Sequence, residues 1–377
     1  MRAERVPPQE VPPLAACREQ QAGAVLIDVR EARERAAGTP AGAVPLALPE
    51  LVAQAAGVLP DRAARVLVLC GRGVRSRQAA QQLGALGYGN VASVAGGFQR
   101  WQAEGLPCDY GVLDADAAER YARQLKLPQV GAAGQARLAG AKVFLLGAGG
   151  LGAPVALYLA AAGVGHLTLV DDDRVERSNL HRQVIHGDAR VGQAKTDSAR
   201  ASVQALNPRV RVEAHAERLT AANVEALVGG HDLIVDGADN FAARYLLSAA
   251  SVRLRIPLVY GAVEQFTGQA SVFDPRRDDS PCYRCLFPAP PAAGDAPNCS
   301  EAGVFGVLPG LVGMIQATEA LKLLLGIGAP LVGRLLSIDA LAMRFREFRL
   351  PRDPHCPGCG VGAVFRGYQD IEQSCRS

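Results

Sequence analysis

Short, uninterrupted apolar runs recur along the chain, separated by stretches of helical period. They are Val25–Ile27, Val66–Leu69 and Val91–Val94 in the first third, then Val143–Leu146, Leu167–Val170, Leu233–Val235 and Leu258–Tyr260. Runs of this length without polar alternation suit strands buried on both faces, so the pattern predicts α/β units on mainly parallel sheets. The first series closes near Gly96–Gly111, and the next opens with a helix expected over Ala115–Leu127, with Asp114 as its N-cap. Phe287–Gly303, rich in Pro, Ala and Gly, reads as a loop, and the tail beyond Gly360 carries no pattern. The expected organisation is a small α/β domain over residues 1–108, a linker at 109–114, a larger α/β domain over 115–360 and a tail at 361–377.

Composition narrows the function classes. A length of 377 residues fits two domains, and a net charge of +3 provides no extended basic surface, which argues against nucleic acid as a partner. The N-terminus has no apolar core of a secretory signal, so the cytoplasm is expected. Val143–Gly165 is uncharged and long enough to cross a bilayer. Gly147, Gly149, Gly150, Gly152, Pro154 and Gly163 interrupt it, which suits a strand, a tight turn and a buried helix rather than a membrane span. Nine cysteines, an odd number without an export signal, point to metal or thiol chemistry rather than disulfides.

The run "KVFLLGAGGLGAPVALYLAAAG" contains Gly147-x-Gly149-x-x-Gly152 between a strand and a helix. Glycines there permit a tight turn and close approach of backbone N–H groups to phosphates. Asp171 ends the next strand, where a carboxylate can hold ribose hydroxyls. An NAD-dependent oxidoreductase reads the same up to this point. Asn179, Arg182, Gln183, Lys195, Asp236 and Asp239 then supply cations and carboxylates, which suit phosphate and Mg²⁺ chemistry better than hydride transfer.

In order along the chain, "RYARQ", "GAGGLG", "DDDRVERSNLHRQ", "GQAK", "VDGADN", "PCYRC" and "CPGCG" resemble the E1-like superfamily, in particular the MoeB and ThiF adenylyltransferases. The resemblance implies a Rossmann-like adenylation domain that uses ATP and Mg²⁺ on the C-terminal glycine of a ubiquitin-like sulfur carrier. By that resemblance Gly147, Gly149, Gly150 and Gly152 form the nucleotide turn and Asp171 holds the ribose. Asn179, Arg182 and Lys195 contact the triphosphate, and Asp239 binds Mg²⁺. It also implies that Arg123 reaches the phosphates of the neighbouring subunit of a homodimer. Arg120 reads as a structural or surface residue, and Asp172 and Asp173 as caps of the following element.

Cys282-x-x-Cys285 and Cys356-x-x-Cys359 are two metal-type knuckles, and four thiolates make a closed, structural zinc (Zn²⁺) site. Cys299 falls where the family places a cysteine implicated in acyl or persulfide transfer, so a covalent role is open to it. Cys17, Cys108 and Cys375 carry no motif.

Cys70, in "LCGRGVRSRQ", ends an apolar strand and precedes a helical run, so turn N–H groups converge on its sulfur while Arg72 and Arg75 add positive charge. A phosphatase-type loop needs five residues between cysteine and arginine, whereas four separate Cys70 from Arg75. With "LIDVREARERAAG", containing Asp28 and Arg30, and with "VAGGFQRWQAEGLP", this stretch resembles a rhodanese domain, although "GTPAGAV" departs from that family's usual turn. The combined expectation is adenylation of a carrier, MoaD-like in molybdenum cofactor biosynthesis or ThiS-like, with persulfide sulfur passed from Cys70 to form a thiocarboxylate. The sulfur donor is expected to be a cysteine desulfurase or thiosulfate. tRNA thiolation is an alternative pathway, and a carrier-binding scaffold a non-enzymatic one.

Overall fold

The computed structural model describes residues 8–35, 38–109, 113–290 and 303–371, apart from the Arg33 side chain. The chain divides into two compact units, residues 1–136 and 137–377.

In the first unit the three expected strands form as Val25–Asp28, Val66–Leu69 and Val91–Val94, joined by the short strands Gln9–Val11 and Val44–Pro45. All pairings in this five-stranded sheet are parallel. The central strand is dry on both faces. Val66 and Val68 pack with Ile27, Leu51 and Ala79, while Leu67 and Leu69 pack with Leu26, Phe98 and Trp101. Each such side chain contributes roughly 1.5–3 kcal/mol by burial, which is why the run carries no polar alternation.

The helix expected over Ala115–Leu127 is instead two short helices, Ala115–Arg120 and Ala122–Leu125. Asp114 caps the first, its carboxylate accepting the Ala117 N–H at 2.8 Å. The backbone departs from helical geometry at Tyr121 (φ −100°, ψ 13°), whose ring is buried with Ala117, Leu125 and Ala132. Burial of that ring outweighs the local helical preference of the sequence.

In the second unit eight strands form one sheet, in the order Arg211–His215, His166–Val170, Lys142–Leu146, Leu233–Asp236, Leu258–Glu264, Thr267–Phe273, Arg334–Asp339 and Arg344–Arg349. The first five are parallel and the last three are added antiparallel. The register sets Leu146 level with both Val170 and Asp236, and Val170 level with His215, so four parallel strands end side by side. In open α/β sheets that edge is where a ligand crevice forms.

The uncharged stretch Val143–Gly165 is the expected strand and turn followed by the helix Gly152–Ala162. Among the described residues one helix, Leu308–Leu325, is long and apolar enough to cross a membrane. Its buried Gln316 donates to the Asp236 carbonyl at 2.6 Å and its Lys322 pairs with Glu319 at 2.6 Å, which makes it a core helix packed on the sheet.

Candidate functional site

The level strand ends of the second unit line a cavity of about 540 Å³. Its apex is the glycine turn. Gly147 takes φ +88°, and a Cβ there would lie 2.6 Å from the Gly237 carbonyl oxygen; a Cβ on Gly152 would lie 1.8 Å from the Gly147 carbonyl oxygen. No side chain fits either position without moving backbone. Gly147, Gly149 and Gly150 face the cavity, while Gly152 closes the turn beneath it.

Asp171 is wired to this turn, accepting the Ala148 N–H at 2.8 Å and the Asp173 N–H at 2.9 Å. Burial pushes its carboxyl above the ordinary 3.8, against the pull of Lys195 and those two amides. Lys195, only 5% exposed, donates from Nζ to Asp173 Oδ2 at 2.6 Å. A buried ammonium must be paired, and this partner holds it at the cavity wall. Asp172 and Asp173 also line the cavity.

Arg182, Gln183 and Asp239 complete the polar wall. Asn179 is placed differently, with its amide 3.4 Å from Glu176 Oε2. Asp236 is buried beneath the wall, accepts the Ala238 N–H at 2.9 Å and lies 3.5 Å from Arg244 Nε. Burial raises its carboxyl to about 6, with Arg244 pulling the other way. Asp236 thus belongs to the scaffold, while Asp239 is the exposed carboxylate of the pair.

Several lining residues went unread in the sequence: Arg244, the segment Glu217–Thr220, and Asp370 with Ile371. An arginine in the first turn of the largely apolar helix Phe241–Leu254 was a usable sign for Arg244, which donates from Nη2 to the Ala238 carbonyl at 2.8 Å. The tail residues carried no sign at all.

Cys282, Cys285, Cys356 and Cys359 converge with all four Sγ atoms within 4.8 Å of one another. Two of the separations, Cys282–Cys356 and Cys285–Cys359, are 3.6 Å and 3.5 Å. Four sulfurs each about 2.3 Å from one ion sit roughly 3.8 Å apart in a tetrahedron, so the donors fit zinc. N–H groups of Cys282 and Asp353 point at Cys285 Sγ (3.4 and 3.5 Å), and that of Gly358 at Cys356 Sγ (3.4 Å), an outer shell suited to thiolates.

In the first unit Cys70 is buried at the end of its strand. Burial works against the thiolate, yet the Ser76 hydroxyl, 3.4 Å from Sγ, and the N–H groups of Ser76, Arg72 and Gly73 bring the thiol below 9.0. The Gly73 N–H is 3.1 Å from the sulfur. Of the two arginines expected to help by charge, Arg75 interacts electrostatically with Cys70 while held by a partner of its own. Arg75 is bound bidentately by Glu34 at 2.5 and 2.7 Å, and Arg72 is exposed and acts through its backbone N–H.

Two motifs around this loop brace it. Gly97 (φ +59°) lies so close that a Cβ would come within 2.2 Å of the Cys70 carbonyl oxygen, which the Phe98 N–H binds at 2.7 Å. Arg30 is buried in a two-pronged pair with Asp28, its guanidinium 3.8 Å from the Phe98 ring centroid. Cys17 is core and Cys108 half-buried in the strand Cys108–Asp109. Cys299 and Cys375 lie outside the described residues.

Residues 121–358 match the ThiF family and residues 14–104 the rhodanese-like domain. The chain belongs to the ThiF family of E1-like adenylyltransferases and carries a rhodanese-like domain ahead of that region. It is 53% identical over 260 residues to a "Sulfur carrier protein adenylyltransferase" of Thermus thermophilus, covering 68% of this chain and 96% of that one. It is 51% identical over 265 residues to the "SAMP-activating enzyme E1" of Haloferax volcanii, covering 70% and 97%. A "Probable adenylyltransferase/sulfurtransferase MoeZ" of Mycobacterium tuberculosis is 49% identical over 250 residues, covering 65% and 63%. A crystal structure of E. coli MccB shares the fold, with a TM-score of 0.58 at 24% identity over 64% of this chain and 75% of that one.

Proposed function

We propose that this chain activates the C-terminal glycine of a ubiquitin-like sulfur carrier as an acyl adenylate and supplies sulfur to it from Cys70. The observation that carries the reading is the cavity itself, where the glycine turn, Asp171, Arg182, Lys195 and Asp239 meet around a space of nucleotide size. A similar protein named as a sulfur carrier protein adenylyltransferase points the same way.

In this reading Gly147, Gly149 and Gly150 pass under the phosphates and Asp171 accepts from the ribose hydroxyls. Lys195 exchanges Asp173 for phosphate oxygens, Arg182 flanks them, and Asp239 holds Mg²⁺, which neutralises phosphate charge when bound; Asn179 is assigned to the triphosphate by its motif alone, since it stands on Glu176 rather than in the cavity wall. The carrier carboxylate attacks the α-phosphorus and pyrophosphate leaves; fixed cations stabilise the charge that develops on oxygen. The terminal sulfur of a Cys70 persulfide then attacks the acyl carbon and AMP leaves, giving an acyl disulfide. A second thiol, for which Cys299 is the candidate, attacks the Cys70 sulfur of the acyl disulfide, so that the thiocarboxylate leaves and a disulfide between that thiol and Cys70 remains, to be reduced by an external dithiol before the next turn.

Arg123 is assigned to the phosphates of a second copy in a homodimer, on its motif alone. Residues 1–108 are assigned to the sulfurtransferase domain and 115–360 to the adenylating domain. The four-cysteine site is assigned one structural zinc, the compartment is the cytoplasm, and a MoaD-like carrier is favoured over a ThiS-like one.

ATP–pyrophosphate exchange with a carrier ending in Gly-Gly tests this. Exchange that requires the carrier and falls roughly 10²-fold in Lys195→Ala is expected. ATP binding without exchange for any carrier would direct the search to another activated substrate.

A further inference from the structure

The segment after the second cysteine knuckle belongs to the nucleotide cavity, although it carries no motif. It is fastened along its course. Phe365 and Tyr368 stack edge to face with centroids 5.0 Å apart, and the Arg253 guanidinium lies 5.4 Å from the Phe365 ring centroid. Tyr368 and Ile371 pack against the core cluster that includes Leu219 and Leu246. Asp370 Oδ1 accepts the Ala221 N–H at 2.8 Å, joining residues 149 apart in sequence. Asp370 and Ile371 then stand in the cavity wall beside Leu219 and Thr220.

The cavity lining carries two kinds of chemistry, and the apolar members Leu219, Leu246 and Ile371 pack in one core cluster. The polar part of the lining comprises the glycine turn, Arg182, Lys195 and Asp239, which suit phosphate. The apolar part comprises Leu219, Ala242, Leu246 and Ile371, which suit the flat apolar face of a base. We infer that residues 368–371 complete the apolar part of this cavity as a base site: Ile371 covers the face of a purine, and Asp370 is a positioning residue that fixes the Leu219–Ala221 backbone around it. The inference rests on the nucleotide reading proposed above. A carboxylate that borrows a distant N–H has its effect through the loop it holds, whereas the Ile371 side chain acts by contact.

Binding of ATP and of inorganic tripolyphosphate to the full chain separates the two parts. Ile371→Ala and Asp370→Ala are each expected to weaken ATP about tenfold, the loss for one partly buried aliphatic contact or one anchoring hydrogen bond, and to leave tripolyphosphate unchanged. Asp370→Asn keeps an acceptor oxygen and is expected to restore ATP affinity. Truncation after Gly367 should give the largest loss, and the point variants carry the test if the truncated chain does not fold. Unchanged ATP affinity in both alanine variants overturns the inference, as does an equal loss for both ligands, which would mark general damage to the cavity. Lys195→Ala serves as the reverse control, losing tripolyphosphate and ATP together. If the unaltered chain binds neither ligand, the nucleotide reading falls and this inference with it.

Discussion

Glu34 and Asp236 are both carboxylates set against an arginine, and they settle at opposite ends of the carboxylate range. The hydrogen bonds from Arg75 hold Glu34 at about 2, because the guanidinium engages both oxygens while the pair stays partly hydrated. Asp236 is almost without solvent, and burial takes it to about 6 despite Arg244, whose Nε is 3.5 Å away. Distance and water decide the sign. The stability consequence for Asp236 runs against the usual one for acids. Its folded value lies above the unfolded one, so between about pH 4 and pH 6 the unfolded chain gives up the proton first and stability falls as pH rises. The rise from 3.8 to about 6 corresponds to about 3 kcal/mol. Chemical denaturation from pH 4 to 7 should therefore show Asp236→Asn gaining on the unaltered protein up to about pH 6 and keeping a constant difference from it above. A difference that does not change over that window would mean Asp236 titrates as an ordinary carboxylate.

At the scale of elements, the thiol loop depends on its neighbours. The helix Gly97–Ala103 starts against it with no room for a side chain, since a Cβ on Gly97 would press on the Cys70 carbonyl and on the Arg72 nitrogen at 2.8 Å. Gly97→Ala combines that clash with a positive φ, at a cost of about 2 kcal/mol or more. Sulfur transfer from the Cys70 persulfide to cyanide should fall at least tenfold, on the order of that strain, while ATP binding is untouched; full activity would show that the loop can be displaced without loss. The glycines of this motif were legible as a resemblance, and their reason, backbone against backbone, was visible only in three dimensions. The same contrast holds for the strands. Val66–Leu69 and Leu233–Asp236 announce themselves because both faces are buried. Arg344–Arg349 does not, because every residue in it is exposed and its arginines carry no apolar period. That composition also discourages pairing of the open sheet edge with another chain. Asp370 and Ala221 show the remaining limit: a hydrogen bond across 149 residues leaves no local pattern to read.

At the scale of the whole molecule, the four cysteines tie together two segments of the chain 74 residues apart. Removing the ion with a strong chelator is expected to release about one zinc per chain and to lower the melting temperature by roughly 10 °C, from the loss of a tie worth a few kcal/mol in a chain of this size. Absence of metal in the purified protein together with an unchanged melt would leave the four thiols as a reduced cluster only. The two knuckles stand 74 residues apart, and between them lie the helix Leu308–Leu325 and the strands Arg334–Asp339 and Arg344–Arg349. With an ion in place this span is a closed ring in the covalent graph of the protein. A break in the backbone anywhere within it opens the ring without dividing the molecule, so the catalytic chain can survive as one particle with two extra ends.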